Sequence, residues 1–221
     1  MSHAKLALLA PLVATALVAF APVAAAQDAQ AGRKKAAMCI GCHGIPGYQA
    51  SFPEIHKVPM IGGQNAKYIV AALTAYKKGE RKHGSMRAIA GSLSEQDMAD
   101  LAAYYEKNGT SSIKTVADTA APAAPADVAA LLAKGACASC HGASYSKPID
   151  GSYPKIAGQH ADYLYVALKA YQTDGNPRIG RSNAVMSTQA RQFKRAELKA
   201  MAEYLASLPG ELNSAAQSSL R

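Results

Sequence analysis

The chain begins with a concentration of apolar residues. Residues 6–26 read LALLAPLVATALVAFAPVAAA, with Lys5 before them and an Ala-x-Ala cleavage pattern at their end. A basic start, an apolar stretch and small residues at the cut are typical of a secretory signal peptide, which we predict over 1–26. A run of this length could also span a bilayer, so an uncleaved membrane anchor is the alternative.

Beyond this stretch, apolar residues recur at helical spacing. Tyr68, Leu73 and Tyr76 lie on one face of a predicted helix over 65–78, and the same pattern returns over 160–173. Strand-like alternation is lacking, so the pattern predicts an all-α fold.

Other helices are indicated by their first residues. Asp28 is a suitable N-cap for a helix that reaches Cys42, and the later counterpart of this helix begins at Asp127. The string SEQD, from Ser94, is a capping box with Asp in the position usually held by Glu, and it predicts a helix over 94–108. In the later copy Lys194 stands at this cap position, which leaves that helix start less well defined.

The chain contains an internal duplication. The strings CIGCHG, PMIGGQNAKYIVAALTAY and DMADLAAYY return about 100 residues later as CASCHG, PKIAGQHADYLYVALKAY and ELKAMAEYL. We therefore predict two tandem domains of one fold, over 27–110 and 127–221. The Ala-Pro repeats between them predict a semi-extended linker over 111–126.

Charge adds a constraint on partners. The formal net charge is +9, and 27–110 and 127–221 each carry 11 basic and 7 acidic residues. A basic surface suits acidic proteins or an anionic membrane. Nucleic acid is disfavoured, because the chain has a predicted export signal, few aromatic residues and no arginine-rich run.

The cysteines define the chemistry. Cys39, Cys42 and His43 stand at i, i+3 and i+4, so a helix brings them to one face, and Cys137, Cys140 and His141 repeat the arrangement. Cys-x-x-Cys-His is the attachment signature of a c-type haem, with thioether bonds to both cysteines and the histidine on the iron. The sequence predicts two covalently bound haem c groups.

Other uses of Cys-x-x-Cys fit less well. A zinc site needs four ligands, whereas each domain has two cysteines, and pooling all four would leave the two histidines unexplained. A disulfide between such close cysteines is strained. A redox dithiol of the thioredoxin type would need a βαβ context, which the helical pattern does not provide.

The sixth iron ligand is selected by the repeat. Met60, His56, His83 and Met98 are also available in the first domain, but only Met86 has a methionine counterpart, Met186. We predict Met86 and Met186 as the ligands, with His83 as the main rival. In the second domain the other candidates are His160 and Met201, and Met201 lies on the apolar stripe of the last helix, where core packing is its expected role.

These motifs together resemble the cytochrome c4 family. The shared features are two Cys-x-x-Cys-His motifs, a Gly-Gln turn after each, an arginine five residues before each methionine and a closing helix of the LAAYY type. The resemblance implies a periplasmic dihaem electron carrier rather than an enzyme. It implies that Cys39, Cys42, His43 and Met86 bind one haem, and Cys137, Cys140, His141 and Met186 the other.

The resemblance also implies partners. Expected ones are a terminal oxidase, a quinol:cytochrome c reductase or a dehydrogenase, and the alternative is a cytochrome subunit within a dehydrogenase complex. A dihaem peroxidase is disfavoured, because matched methionines leave no open iron position. The chain departs from the family at Ala130, where the first domain has the small Gly32 at the helix crossing.

Further predictions concern the contacts of side chains near each haem motif. Arg81 and Arg181 could pair with haem propionates or be solvated, and Tyr68 and Tyr163 could donate to a propionate or simply pack. By the resemblance, a backbone carbonyl near Pro59 or Pro154 accepts from the imidazole N–H. The basic residues around each methionine predict docking of acidic partners.

Overall fold

The computed structural model describes residues 27–108 and 121–214. The predicted signal peptide at 1–26 and most of the predicted linker at 111–126 lie outside the described residues. Within the described ranges, no helix combines the length and the apolar character needed to cross a membrane.

Helices dominate both copies. The first copy contains α1 (Ala29–Lys35), α2 (Ala37–His43), α3 (Ala66–Lys78), α4 (Gly84–Ser92) and α5 (Glu95–Asn108). The second contains α6 (Ala126–Lys134), α7 (Cys137–His141), α8 (Ala161–Tyr171), α9 (Ala184–Ala190) and α10 (Arg195–Ser207). This confirms the all-α class.

Short strands accompany the helices. They are β1 (Gln49–Ala50), β2 (His56–Lys57), β3 (Arg81–Lys82) and β4 (Gly180–Arg181). β1 pairs with β2 within the first copy, and β3 pairs with β4 across the two copies, both antiparallel. Strands of two residues are too short to produce a recognisable alternation in the sequence.

The helix starts follow the predicted caps in the first copy. The Asp28 carboxylate accepts from the backbone N–H groups of Gln30 and Ala31. Ser94 and Asp97 form the reciprocal capping contacts, with the Ser94 N–H 2.9 Å from an Asp97 oxygen and the Asp97 N–H 3.1 Å from the Ser94 hydroxyl.

The helices differ from the prediction in three places. The first helix is interrupted at Ala36, so the cysteine motif has a short helix of its own. Its later counterpart begins at Ala126 rather than Asp127. The segments that carry the two methionines are helices α4 and α9, which the sequence analysis left as loops.

The crossing of α1 and α5 holds the first domain together. A Cβ added to Gly32 would lie 2.0 Å from the Asp100 carbonyl oxygen, so only glycine permits this approach. The buried Asp100 carboxylate accepts from the Asp28 N–H at 3.0 Å and pairs with Lys35 at 2.8 Å. Burial alone would raise the pKa of Asp100, but these contacts outweigh burial and lower it.

The two domains meet through reciprocal contacts. The buried Gln64 amide binds the backbone N–H and carbonyl of Lys155 at 2.9 and 3.0 Å. The equivalent Gln159 amide binds the backbone N–H and carbonyl of Met60 at 3.0 and 2.9 Å. Each Gly-Gln turn thus completes the backbone hydrogen bonding of the other domain, in a pseudo-twofold arrangement.

The end of the predicted linker lies against the second domain. The Ala121 N–H donates to the Ala143 carbonyl at 3.1 Å, and the Tyr204 hydroxyl donates to the Pro122 carbonyl at 2.6 Å. Residues 121–125 therefore have fixed contacts before α6 begins.

Candidate haem sites

Each cysteine motif occupies one short helix. Cys39, Cys42 and His43 are in the last turn and a half of α2, and the second motif forms the whole of α7. None of these four cysteines is in a disulfide. Burial raises the pKa of the Cys39 thiol and of the Cys137 thiol.

Both motif histidines have the same orientation. His43 Nδ1 lies 2.9 Å from the Pro59 carbonyl oxygen, and His141 Nδ1 lies 2.9 Å from the Pro154 carbonyl oxygen. A carbonyl accepts only, so Nδ1 carries the proton and Nε2 keeps its lone pair for a metal. Burial lowers the pKa of both imidazoles, which favours this neutral form.

The two methionines begin equivalent helices. The His83 ring accepts from the Met86 N–H at 3.4 Å as the N-cap of α4. Asn183 makes the same contact with the Met186 N–H at 2.9 Å in α9. The capping contact gives His83 a structural role that an asparagine can share, and it fixes each methionine in the first turn of its helix.

The other candidate ligands have other contacts. Met98 and Met201 are core residues, exposed by 2% and 3%. His56 is buried, with Nδ1 2.8 Å from the Glu54 carbonyl oxygen and its ring stacked on Tyr163. Met60 is engaged through its backbone by the second domain. His160 stands at the N-cap position of α8 without a side-chain capping bond, and its buried Nε2 has no hydrogen-bond partner in the described part of the chain.

A cluster of arginines and tyrosines lies where β3 meets β4. Arg81 and Arg181 face each other in the strand register. Arg81 donates to the Tyr68 hydroxyl at 2.8 Å, and Arg181 donates to the Tyr163 hydroxyl at 3.1 Å. The guanidinium groups also lie 5.6 Å from the Tyr76 ring and 5.5 Å from the Tyr171 ring.

This cluster lacks a negative charge. Within the described ranges, neither guanidinium pairs with a carboxylate. Arg81 is only 9% exposed, so its charge is not compensated by water either. Burial raises the pKa of Tyr68 to about 12. For Tyr163 and Tyr171 the neighbouring guanidinium groups outweigh burial and lower the pKa. The prediction of a solvated Arg81 is therefore wrong.

The residues present fit a haem c. Each domain offers two thiols three residues apart, an imidazole with a free Nε2 and a thioether on a rigid helix start. The arginine cluster offers positive charge and hydroxyl groups, which are the groups that would compensate the carboxylates of a haem. No cluster of three metal-ligating histidine, cysteine or acidic residues occurs in the described part of the chain.

Comparison with known proteins assigns the chain to a family. A family model for cytochrome c matches residues 29–108 and again 125–209. The cytochrome c4 of Pseudomonas aeruginosa is 30% identical over 191 residues, which cover 83% of this chain and 90% of that protein. The chain belongs to the cytochrome c4 family. Its members are dihaem electron-transfer proteins, so the chain binds two haem c groups covalently and transfers electrons.

Two other similarities add to this assignment. A crystal structure of reduced cytochrome c4 from Pseudomonas stutzeri matches with a TM-score of 0.61 and 27% identity, covering 83% of this chain and 100% of that one. A protein of Thiomonas intermedia named thiosulfate dehydrogenase electron acceptor is 32% identical, covering 79% of this chain and 80% of that protein.

Sequence reasoning missed the roles of the two Gly-Gln turns. Gln64 and Gln159 were part of the repeated string, but their partners are in the opposite domain. Their shared position in both copies was the available signal. Tyr76 and Tyr171 were also missed as members of the arginine cluster; each ring lies beside the guanidinium group of its own copy.

Proposed function

We propose that the chain is a periplasmic dihaem carrier in which His43 and Met86 ligate one iron and His141 and Met186 the other. Cys39 and Cys42, and Cys137 and Cys140, attach the two haem groups. The observation that supports this most is that both domains have the same side chains in the same arrangement. Each has an imidazole fixed by a proline carbonyl and a methionine fixed by a helix cap.

The protein orients and shields the cofactor. When bound, haem iron supplies a one-electron couple between the ferric and ferrous states. The Pro59 and Pro154 carbonyls keep each Nε2 available and increase the basicity of the imidazole. A methionine thioether favours ferrous iron and so raises the reduction potential.

The ligand set favours a carrier over a catalyst. Two protein ligands on each iron leave no position for peroxide, and both domains have the same set. A dihaem peroxidase would need one open or displaceable position. Peroxide turnover together with a five-coordinate ferric spectrum would support that alternative.

The partners are acidic redox proteins. An exported basic carrier suits a terminal oxidase or a quinol:cytochrome c reductase with an acidic docking face. A second candidate is an acceptor for a dehydrogenase, because two proteins named thiosulfate dehydrogenase electron acceptor are 30% and 32% identical to the chain over most of its length. Co-purification with a dehydrogenase subunit would favour this second candidate.

Replacing the proposed ligands tests the assignment. Met86→Leu removes the thioether of one site while keeping an apolar side chain of similar size. We expect the methionine-to-iron charge-transfer band of the ferric holoprotein to fall by about half, since one of two such ligands is lost. Met186→Leu should remove the other half.

Two variants serve as controls. Met98→Leu changes a core methionine and should leave the band unchanged. His83→Ala removes the cap of α4 and should keep the band as well. If His83 were the ligand, the first domain would contribute nothing to this band. Met86→Leu would then leave the band unchanged, while His83→Ala would open one coordination position and give a five-coordinate or high-spin ferric signal.

A further inference from the structure

A groove crosses the boundary between the two domains beside Met86. It has a volume of about 340 Å³ and lies between the start of α4 and the loop that precedes β4. The side chains that line it are Phe52, Lys82, His83 and Arg87 from the first domain and Pro177 and Arg178 from the second.

All the charged side chains that line this groove are positive. Lys82, Arg87 and Arg178 contribute three cations, and no carboxylate is among the residues that line it. Asp174, in the same loop as Arg178, has its carboxylate bound by Arg191. Arg87 and Arg178 are exposed, so a partner can reach both.

The groove is held in shape by hydrogen bonds. Lys82 Nζ donates to the Asn176 carbonyl at 2.6 Å and joins the two domains. The Asn176 side chain accepts from the N–H groups of Arg178 and Ile179 at 2.9 and 3.1 Å, which fixes the loop. Phe52 is 39% exposed and makes an edge contact with His83 at 6.0 Å between ring centroids, so an apolar surface adjoins the cations.

The equivalent surface of the second domain is different. The positions that correspond to Lys82, His83 and Arg87 are Ser182, Asn183 and Ser187, which are uncharged. Val185 beside Met186 is 57% exposed. Arg181, one of the basic residues around Met186, belongs to the tyrosine cluster, as Arg81 does in the first domain.

We propose that this groove, here called the Met86 groove, is the docking site for an acidic electron-transfer protein, and that such a partner exchanges electrons at the first domain. Three convergent cations beside an aromatic ring suit carboxylate side chains around an apolar contact. The inference rests on the proposed carrier function. It adds that the first domain, rather than the second, faces this partner.

The test uses the ferrous holoprotein and an anionic acceptor. Ferricyanide takes one electron from ferrous haem and becomes ferrocyanide, and poly-L-glutamate serves as a carboxylate competitor. The groove variant is Lys82→Gln with Arg87→Gln and Arg178→Gln. The matched control removes the same charge from other exposed positions, by Lys34→Gln, Arg195→Gln and Lys199→Gln.

We expect the wild-type rate with ferricyanide to fall as ionic strength rises and to fall again when poly-L-glutamate is added. At low ionic strength the groove variant should be slower by about three-fold or more and insensitive to poly-L-glutamate. The control should stay within about two-fold of wild type. A double variant, Arg87→Gln with Arg178→Gln, keeps the Lys82 contact and should show the same direction of change.

Other results would overturn the proposal. Equal slowing in the groove variant and the control would show that net charge, not the groove, attracts the acceptor. A second result would assign the groove to a membrane. In that case the wild-type protein binds vesicles of phosphatidylcholine and phosphatidylglycerol, the groove variant does not, and poly-L-glutamate does not slow electron transfer by the wild type. Either result leaves the carrier function intact, whereas a holoprotein that exchanges no electron with ferricyanide contradicts that function itself.

Discussion

Arg81 and Arg181 show what single residues contribute to the interface between the domains. The sequence shows that each arginine precedes a methionine by five residues. It does not show whether the guanidinium group contacts water or a haem propionate. The answer depends on β3 pairing with β4, because that pairing brings the two arginines together, each beside tyrosines of its own copy. By contrast, the family resemblance implied a carbonyl partner near Pro59 and Pro154 for the imidazoles of His43 and His141, and the structure has these contacts.

Removing one of these charges should change the redox equilibrium. Arg81→Gln deletes a buried cation, and a nearby positive charge stabilises the electron-rich ferrous state. We expect a midpoint potential to fall by on the order of 50 mV, close to a tenfold change in a one-electron equilibrium. Spectroelectrochemical titration measures it.

Arg191→Gln is the matched control for this prediction. It removes an exposed arginine that pairs with Asp174, and solvent screens its charge, so the potentials should hardly move. A shift in Arg81→Gln no larger than that of the control would show that the cluster does not act on the haem.

At the scale of elements, the long helices were predictable and the short ones were not. α3 and α5 have apolar stripes and caps, and their observed bounds lie within one residue of the predicted ones. α4 and α9 have nine and seven residues, too few for a clear periodicity, and their caps are a histidine and an asparagine. The crossing of α1 and α5 was anticipated at Gly32, whereas Ala130 of α6 is exposed and does not repeat that close approach.

The α1–α5 crossing predicts a stability effect. Gly32→Ala places a methyl group against the Asp100 carbonyl and the Tyr104 Cβ, so α1 must move away from α5. We expect the free energy of unfolding of the holoprotein to fall by about 2 kcal/mol or more in denaturant titrations.

Gly91→Ala provides the comparison for this effect. A Cβ at this position of α4 meets nothing within 4 Å, and alanine is the better helix former, so stability should be unchanged or rise by about 0.5 kcal/mol. If both variants lose the same stability, the crossing is looser than the contacts at Gly32 indicate.

At the scale of the molecule, the duplication predicted two domains of one fold but not their contact. The reciprocal bonds of Gln64 and Gln159 join residues more than 90 positions apart, and no local pattern reports such a pairing. The duplication also concealed an asymmetry. The two domains share their proposed haem-binding residues, whereas only the first has cations at the positions of Lys82 and Arg87.

The central claim is that this chain carries two electrons on two equivalent haem sites. Potentiometric titration of the purified holoprotein, with haem quantified on the same sample, tests it most directly. We predict two haem groups per chain, two one-electron steps, and loss of the methionine-to-iron band in both steps on reduction. A single haem, a single electron, or a persistent five-coordinate ferric signal from one domain would contradict the account.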